Sequence, residues 1–148
     1  MSDIEIKKVT SQMLSDIAGI EKECFSSPWS EKSLEILLGD NAVGFAAFCK
    51  EELVGYVGMM TVLDEGQITN VAVKSDFRRR GCAKALLSAL EEYALENGIV
   101  FLSLEVRKSN LSARSLYLAD GWADVGVRKN FYSSPIEDAI VMTKTLEK

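Results

Sequence analysis

The sequence contains no histidine among its 148 residues. This absence excludes a Ser-His-Asp or Cys-His triad and any zinc site built on imidazole. A general base must therefore be a carboxylate, a tyrosine, a lysine, a cysteine or water. The three cysteines, Cys24, Cys49 and Cys82, are odd in number and widely scattered, so they predict neither a disulfide framework nor a metal site. We expect packing residues in a reducing cytoplasm, and no bound metal.

Long apolar runs and internal linkers are missing as well. No apolar run approaches the roughly 18 residues that a membrane span needs, and the first ten residues lack the apolar centre of a secretion signal. We therefore expect no membrane partner. Only two prolines, Pro28 and Pro135, occur, and no Gly/Ser-rich segment or repeat divides the chain. The length favours a single domain over residues 1–148.

The charge balance is acidic. There are 17 basic and 22 acidic side chains, which give a formal net charge of −5. Binding of nucleic acid needs a basic field, so the composition disfavours a nucleic-acid partner. A basic peptide or an amine is the more natural partner for such a protein.

The spacing of apolar residues alternates between the periods of strands and helices. Residues 82–96 repeat with helical period, whereas residues 101–107 alternate as a strand with Glu105 on its polar face. Ser30 is a plausible cap for a weaker helix whose apolar face holds Leu34, Leu37 and Leu38. The whole pattern reads β-α-α-β-β-β-α-β-α-β-β. It predicts an α/β (α+β) fold with a mixed, mostly antiparallel sheet flanked by helices and one β-α-β crossover.

A basic turn precedes the long helix. Five cations surround the single acid Asp76, namely Lys74, Arg78, Arg79, Arg80 and Lys84. Consecutive N–H groups at a helix N-terminus favour an anion, and Gly81 allows a diphosphate to approach the backbone closely. The alternative is a solvated basic turn that only begins a helix. The G-x-x-x-x-G-K-[ST] loop is absent, which disfavours ATP or GTP hydrolysis.

At this turn the chain resembles the GNAT acetyltransferase superfamily, whose pyrophosphate loop reads [QR]-x-x-G-x-[GA]. Arg78, Gly81 and Ala83 fill those places. Further segments are similar to the RimI-type branch of the superfamily: Pro28-Trp29-Ser30, Asn70-Val71-Ala72-Val73, Leu104-Glu105-Val106-Arg107, Ser109-Asn110, Tyr117 within SLYLADGW, and Arg128-Lys129-Asn130-Phe131-Tyr132. Enzymes of that branch acetylate the N-terminal alanine of a small-subunit ribosomal protein. The resemblance therefore implies a GNAT-like fold, acetyl-CoA as acetyl donor and a protein N-terminus as acceptor.

The resemblance also implies a cofactor site. The backbone of Val71, Ala72 and Val73 would lie along a splayed strand and pair with the pantetheine arm. The segment from Arg78 through Arg79, Arg80, Gly81, Cys82 and Ala83 to Lys84 would hold the diphosphate. Asn110, at a helix start, would touch the cofactor arm, although a capping role alone also explains it.

Two residues are candidates for proton transfer. An α-amine with a pKa of about 8 is mostly protonated at neutral pH and must lose a proton before it attacks. By resemblance Glu105 is the base, acting directly or through water, and Tyr117 is the acid that protonates the CoA thiolate. The alternatives are a surface pair of Glu105 with Arg107 and a core role for Tyr117. Tyr132 and Trp29 are candidates for the amine pocket, and Tyr132 has the alternative of being only a strand residue.

Other functions stay open at this point. The acceptor could be a lysine side chain, a polyamine or an aminoglycoside, and a non-catalytic acyl-CoA-binding module is a third possibility. Cys82 at a helix N-terminus raises the idea of a covalent acetyl-cysteine. However, the resemblance implies that the diphosphate, and not the acetyl group, binds beside Cys82. We therefore expect direct attack in a ternary complex.

Overall fold

The computed structural model describes residues 3–147, and the single-domain expectation also covers Met1, Ser2 and Lys148, which lie outside the described residues. Seven strands form one sheet: β1 (Ile4–Lys8), β2 (Ala42–Cys49), β3 (Glu52–Val62), β4 (Glu65–Val73), β5 (Phe101–Arg107), β6 (Ala123–Tyr132) and β7 (Glu137–Thr145). Four α-helices accompany them: α1 (Leu14–Cys24), α2 (Glu31–Leu34), α3 (Cys82–Glu96) and α4 (Leu111–Ala119). Short 3-10 helices occupy Ser11–Met13, Glu35–Leu38 and Ser75–Phe77.

The sheet has the strand order β1-β2-β3-β4-β5-β7-β6. Every neighbouring pair is antiparallel except β4 and β5, which are parallel and joined through α3. A parallel pair needs such a crossover, because the chain must return to the end of the sheet where β4 began before β5 can run in the same direction. The predicted element order and the mostly antiparallel mixed sheet are therefore confirmed.

Two apolar cores lie on opposite faces of the sheet. Leu86, Leu87 and Leu90 of α3 pack against one face, while Ile17 and Ile20 of α1 pack against the other. The predicted alternation of β5 is confirmed, since its even-numbered residues are buried and its odd-numbered residues are only half-buried. No helix among residues 3–147 combines the length and the apolar character that crossing a membrane requires.

The second helix is shorter than its pattern suggested. Ser30 caps α2 as predicted, because its hydroxyl oxygen accepts a hydrogen bond from the Ser33 N–H at 3.1 Å. However, the segment continues as a 3-10 helix, and Leu38 is 44% exposed. The prediction that Leu38 lies on the apolar face is wrong. A 3-10 turn has three residues, so the rotation from Leu34 to Leu38 no longer returns the side chain to the same face.

A charged cluster joins α3 to β7 beside α4. Lys144 Nζ lies 2.9 Å from Glu91 Oε1 and 3.2 Å from Asp120 Oδ2, and the Trp122 indole N–H donates to Asp120 Oδ2 at 3.1 Å. Glu91 Oε2 is buried without a hydrogen-bond partner. Burial, together with the neighbouring Asp120 carboxylate, raises the pKa of Glu91 to about 7 from an ordinary value of 4.5. The protonated form of Glu91 is therefore favoured by folding.

This cluster predicts how stability depends on pH. The contribution of protonated Glu91 to the free energy of unfolding is fully present below pH 4.5 and is lost as the pH rises through about 7. Glu91→Gln cannot ionise, so its thermal unfolding midpoint should fall less than that of the wild type between about pH 5 and about pH 9. Thermal melts of both proteins across that range measure the difference. A difference in midpoint that stays constant with pH would contradict the assignment.

Candidate active site

The parallel strands β4 and β5 pair over only three residues each, Glu65–Gln67 with Phe101–Ser103. Beyond that point the strands diverge, and β4 continues to pair with β3 only. A cavity of about 470 Å³ lies in the gap and is lined by both strands, the α1–α2 connection, α4 and the end of β6. The backbone edge of β4 that would otherwise pair with β5 is thus left free toward this gap. A ligand with amide groups can pair with such an edge as an added strand.

The cavity brings together six of the residues that the sequence singled out. They come from five different segments of the chain and are Trp29, Val71, Glu105, Asn110, Tyr117 and Tyr132. The side chains of Ala72 and Val73 are instead buried in the cores, so only their backbone groups are available to a ligand. Asn110 also caps α4, since its Oδ1 accepts a hydrogen bond from the Ala113 N–H at 3.2 Å. The capping role that the sequence suggested is confirmed and coexists with a place in the cavity wall.

Glu105 lies on the polar face of β5, and its side chain is 13% exposed. Its Oε2 lies 3.3 Å from Arg128 Nε of β6, and its Oε1 accepts a long hydrogen bond of 3.4 Å from the Gln67 amide. The alternative that Glu105 forms a surface pair with Arg107 is wrong, because Arg107 pairs with Glu137 at 3.0 Å. Glu105 is therefore a mostly buried carboxylate at the cavity wall with one partly exposed cation beside it.

Tyr117 is a buried residue of α4, 6% exposed, whose ring packs against Trp122 with 5.8 Å between ring centres. Burial raises the pKa of Tyr117, so its phenol holds its proton throughout the neutral range. A protonated phenol that lines the same cavity as a carboxylate gives the site one potential proton donor and one potential proton acceptor.

Arg107 organises the connection between β6 and β7. Its guanidinium donates to the Ser133 and Pro135 carbonyls at 3.0 Å each and stacks 4.5 Å from the Tyr132 ring centre. Burial, together with the nearby Glu105 carboxylate, raises the pKa of Tyr132 to about 12. Arg107 thus fixes one wall of the cavity, a role that the sequence did not suggest. The sequence held one indication of this role, because Arg107 lies on the polar face of β5, two residues after Glu105.

The basic turn leads into α3 at Gly81, which has a φ of +85°. The first helical hydrogen bond runs from the Ala85 N–H to the Gly81 carbonyl at 3.0 Å, so the N–H groups of Cys82, Ala83 and Lys84 have no helical partner. A Cβ added at Gly81 would meet no atom within 4 Å, so the space in front of the turn is open. This backbone fits a diphosphate.

The side chains of the turn divide into two groups. Arg79, Arg80 and Lys84 are exposed and leave their charges available to an anion. The Arg78 guanidinium turns back, donating to the Val73 carbonyl at 3.0 Å and to Cys24 Sγ at 3.4 Å. Cys82 is buried, and burial raises the pKa of its thiol. Cys82 can therefore offer a ligand its backbone N–H but not its thiol.

Glu21 is a residue of this region that the sequence analysis missed. It is fully buried in α1 and accepts hydrogen bonds from two residues of the cavity wall, the Trp29 N–H and the Asn70 amide. A signal was present, because Glu21 stands one turn after Ile17 and two turns after Leu14 on the apolar face of α1. A carboxylate at such a position needs buried partners.

A comparison with protein families decides the class of the molecule. The family model described as "Acetyltransferase (GNAT) family" matches residues 14–122. The chain belongs to the GNAT acetyltransferase family. This membership makes it an acetyl-CoA-dependent N-acetyltransferase. Within residues 3–147, no group of three or more histidine, cysteine, aspartate or glutamate residues could hold a metal ion.

Individual relatives of this GNAT enzyme agree with that class. The chain is 34% identical over 125 residues to the [ribosomal protein bS18]-alanine N-acetyltransferase of Escherichia coli (strain K12), covering 83% of this chain and 84% of that protein. It is 36% identical over 126 residues to the protein of the same name in Haemophilus influenzae, with 83% and 86% covered. The crystal structure of the Escherichia coli ribosomal-protein-S18-alanine N-acetyltransferase superposes with a TM-score of 0.90 at 31% identity, over 98% of this chain and 95% of that one.

Proposed function

We propose that this enzyme transfers the acetyl group of acetyl-CoA to the N-terminal α-amine of a protein, and that the acceptor is the N-terminal alanine of the small-subunit ribosomal protein bS18. The observation that carries the proposal is the cavity between the diverging strands, which is lined by Glu105, Tyr117 and Tyr132. The names of relatives at 34% and 36% identity support the choice of acceptor. The net charge of −5 suits a basic ribosomal protein.

The proposal assigns a place to each part of the donor. The free edge of β4 at Val71, Ala72 and Val73 pairs with the pantetheine arm, and Asn110 contacts that arm from the start of α4. The backbone from Arg79 to Lys84 holds the diphosphate, helped by the exposed cations of the turn. Arg78, whose guanidinium bonds to Val73 and Cys24, acts by holding the turn against β4. Acetyl-CoA supplies the activated thioester when it is bound.

The chemistry then falls to residues of the chain itself. Glu105 accepts a proton from the acceptor ammonium, directly or through water, and the neutral amine attacks the acetyl carbonyl. Tyr117 donates its proton to the departing CoA thiolate, and the proton that the attacking nitrogen releases as the amide forms passes to water, from which Tyr117 is protonated again. Tyr132 and Trp29 line the pocket for the acceptor. Transfer is direct within a ternary complex, because burial raises the pKa of Cys82 and also of Cys24, the cysteine that lines the cavity, and makes both thiols poor nucleophiles.

The diphosphate assignment predicts a specific loss in one variant. Gly81→Val places a β-branched residue at a φ of +85°, where such side chains are strained, and directs its side chain into the open space before the turn. We expect the dissociation constant for acetyl-CoA to rise about tenfold or more, since strain of this kind costs about 1–3 kcal/mol and the turn must rearrange. Isothermal titration calorimetry with acetyl-CoA measures the change.

A second glycine supplies the matched control. Gly98, at the other end of α3, has a φ of +76° and the same open surroundings. Gly98→Val should lose thermal stability in the same way as Gly81→Val while keeping the acetyl-CoA affinity of the wild type. An acetyl-CoA affinity that is equal in the wild type and in Gly81→Val would contradict the assignment of this turn to the cofactor site.

A panel of acceptors tests the proposed function. The purified enzyme and acetyl-CoA are incubated with peptides that begin with alanine or with other residues, with a lysine peptide whose N-terminus is blocked, and with a polyamine and an aminoglycoside. We expect the highest kcat/KM for the alanine peptide that carries the bS18 N-terminal sequence. A higher kcat/KM for the blocked lysine peptide or a small amine would replace the proposed acceptor. Acetyl-CoA binding with no transfer to any amine would favour a non-catalytic binding module.

Two broader assignments belong to the same proposal. Residues 1–148 act as one acetyltransferase domain, because the sheet that carries the site uses strands from both ends of the described chain. The enzyme works in the cytoplasm, without a nucleic-acid or membrane partner.

A further inference from the structure

Glu21 is the only charged side chain with no exposure to solvent among residues 3–147. Its Oε1 accepts the Trp29 N–H at 2.8 Å, and its Oε2 accepts both the Tyr56 hydroxyl and the Asn70 amide nitrogen, the latter at 2.7 Å. None of the ion pairs in that part of the chain involves Glu21. The Glu21 carboxylate is thus held by three hydrogen-bond donors and by no cation, and these donors fix the orientation of its side chain.

Two of the donors to Glu21 come from different segments that line the cavity. Trp29 belongs to the α1–α2 connection, and Asn70 belongs to the part of β4 that no longer pairs with β5. Both residues line the cavity, whereas Glu21 lies behind them. One carboxylate therefore ties two walls of the site together without touching the cavity itself.

The chemistry of Glu21 decides which way the Asn70 amide faces. The two oxygens of Glu21 accept all three hydrogen bonds, so the NH₂ end of the Asn70 amide is the end that faces it. This fixes the choice between amide nitrogen and amide oxygen, which geometry alone leaves ambiguous for an asparagine. The Asn70 side-chain oxygen accepts no hydrogen bond from a described residue, and it is not fully buried. It is the polar group that Asn70 can offer to a ligand in the cavity.

The face of the sheet indicates which ligand meets that oxygen. Asn70 lies on the same face as Ala72 and Tyr56, which pack in the core beneath α1. Val71 and Val73 point to the other face, toward α3, whose N-terminus follows the basic turn. The start of α3 at Cys82 and the Asn70 side chain are therefore on opposite sides of the sheet, although Arg78 of the preceding turn reaches Cys24 on the α1 side. An acceptor that enters from the α1 side meets Asn70 first.

We propose that Glu21 is a positioning residue that holds the Asn70 amide oxygen toward the cavity, where it accepts a hydrogen bond from the amino group of the acceptor. The proposal rests on the proposed acetyl transfer to an amine and adds a binding contact on the acceptor side. Glu21→Gln reverses the arrangement. To keep an acceptor for the Trp29 N–H, the new amide must turn its own NH₂ toward Asn70, and Asn70 then flips to present NH₂ to the cavity. An NH₂ group repels an ammonium that an oxygen would bind.

A double-mutant cycle tests this coupling. Steady-state kinetics are measured for the wild type, Glu21→Gln, Asn70→Ala and the double variant, with the acceptor that the wild type uses best in the amine panel. We expect each single variant to raise the acceptor KM about tenfold, as loss of one hydrogen bond to a charged group would, with acetyl-CoA KM within about twofold of the wild type. The double variant should equal Asn70→Ala, because Glu21 acts through Asn70.

Several results would overturn the proposal. If Glu21→Gln raises the acceptor KM further in the Asn70→Ala background, Glu21 acts by general support of the fold. If the acetyl-CoA KM rises instead, Asn70 faces the cofactor arm. If Glu21→Gln fails to fold, Asn70→Ala alone still decides the matter, since an unchanged acceptor KM contradicts the contact.

The controls separate this proposal from the proposed function. Asp16→Asn makes the same chemical change on an exposed carboxylate of the same helix outside the cavity wall, and its acceptor KM should match the wild type. If the wild type leaves every N-terminal peptide unmodified, the proposed acceptor fails. The Glu21 and Asn70 cycle is then judged with whichever other amine the enzyme acetylates.

Discussion

Replacing Glu105 with glutamine is expected to lower kcat by about 10²- to 10⁴-fold, the contribution of a positioned proton acceptor. Glutamine keeps the size and polarity of the side chain but cannot take a proton from the acceptor ammonium. Acetyl-CoA affinity should change little, because Glu105 lies on β5 and not on the turn before α3. Stopped assays with saturating acetyl-CoA and acceptor peptide measure kcat, and calorimetry measures affinity for acetyl-CoA.

The pH dependence makes this prediction sharper. A free α-amine has a pKa of about 8, so the acceptor loses its proton unaided as the pH rises past that value. The rate of Glu105→Gln should therefore recover in part above about pH 8. Glu65→Gln, which alters an exposed carboxylate outside the cavity, serves as control and should keep wild-type kcat. If Glu105→Gln keeps the kcat of the wild type across this pH range, Glu105 is not the base, and its role is limited to the ion pair with Arg128.

Tyr117→Phe is expected to lower kcat by about 10²-fold, at the lower end of the range for proton transfer. The effect is smaller than that of Glu105→Gln because a CoA thiolate is a fair leaving group without help. Phenylalanine preserves the ring that packs against Trp122, so the loss isolates the hydroxyl. Burial raises the pKa of Tyr117, so the hydroxyl should stay a proton donor well above neutral pH.

The control for Tyr117 is another tyrosine of the same molecule. Tyr93, on α3, contacts Phe45 at 5.8 Å between ring centres and does not line the cavity. Tyr93→Phe should keep the kcat of the wild type, and thermal melts of both variants should show similar stability. Unchanged kcat in Tyr117→Phe would return Tyr117 to the core role that the sequence left open.

Much of the fold could be predicted because the deciding signals are local in the chain. The alternation of β5 and the helical period of α3 follow from side-chain spacing alone, and both are confirmed. Caps at Ser30 and Asn110 depend on a donor only three residues away. The apolar assignment of Leu38 failed because a change from α to 3-10 geometry leaves no trace in the hydrophobic pattern.

The partners of charged side chains could not be predicted, because they depend on contacts between distant segments. Glu105 meets Arg128 across the strands β5, β7 and β6, not its near neighbour Arg107. Arg78 turns back to Val73, although the run of cations suggested that it faces an anion. Glu21 was read as part of a helix, and its three donors lie 8, 35 and 49 residues away in sequence. The register of the strands and the path of the connecting loops decide these contacts, and the spacing of residues along the sequence does not encode them.

The central claim is that this enzyme acetylates an α-amine in preference to other amines. One peptide that begins with alanine and carries a single internal lysine offers both nitrogens to the same active site. After incubation with the enzyme and acetyl-CoA, tandem mass spectrometry locates the acetyl group. We expect it on the N-terminal α-nitrogen, with the lysine unmodified. Acetylation of the lysine side chain with a free N-terminus would contradict the claim.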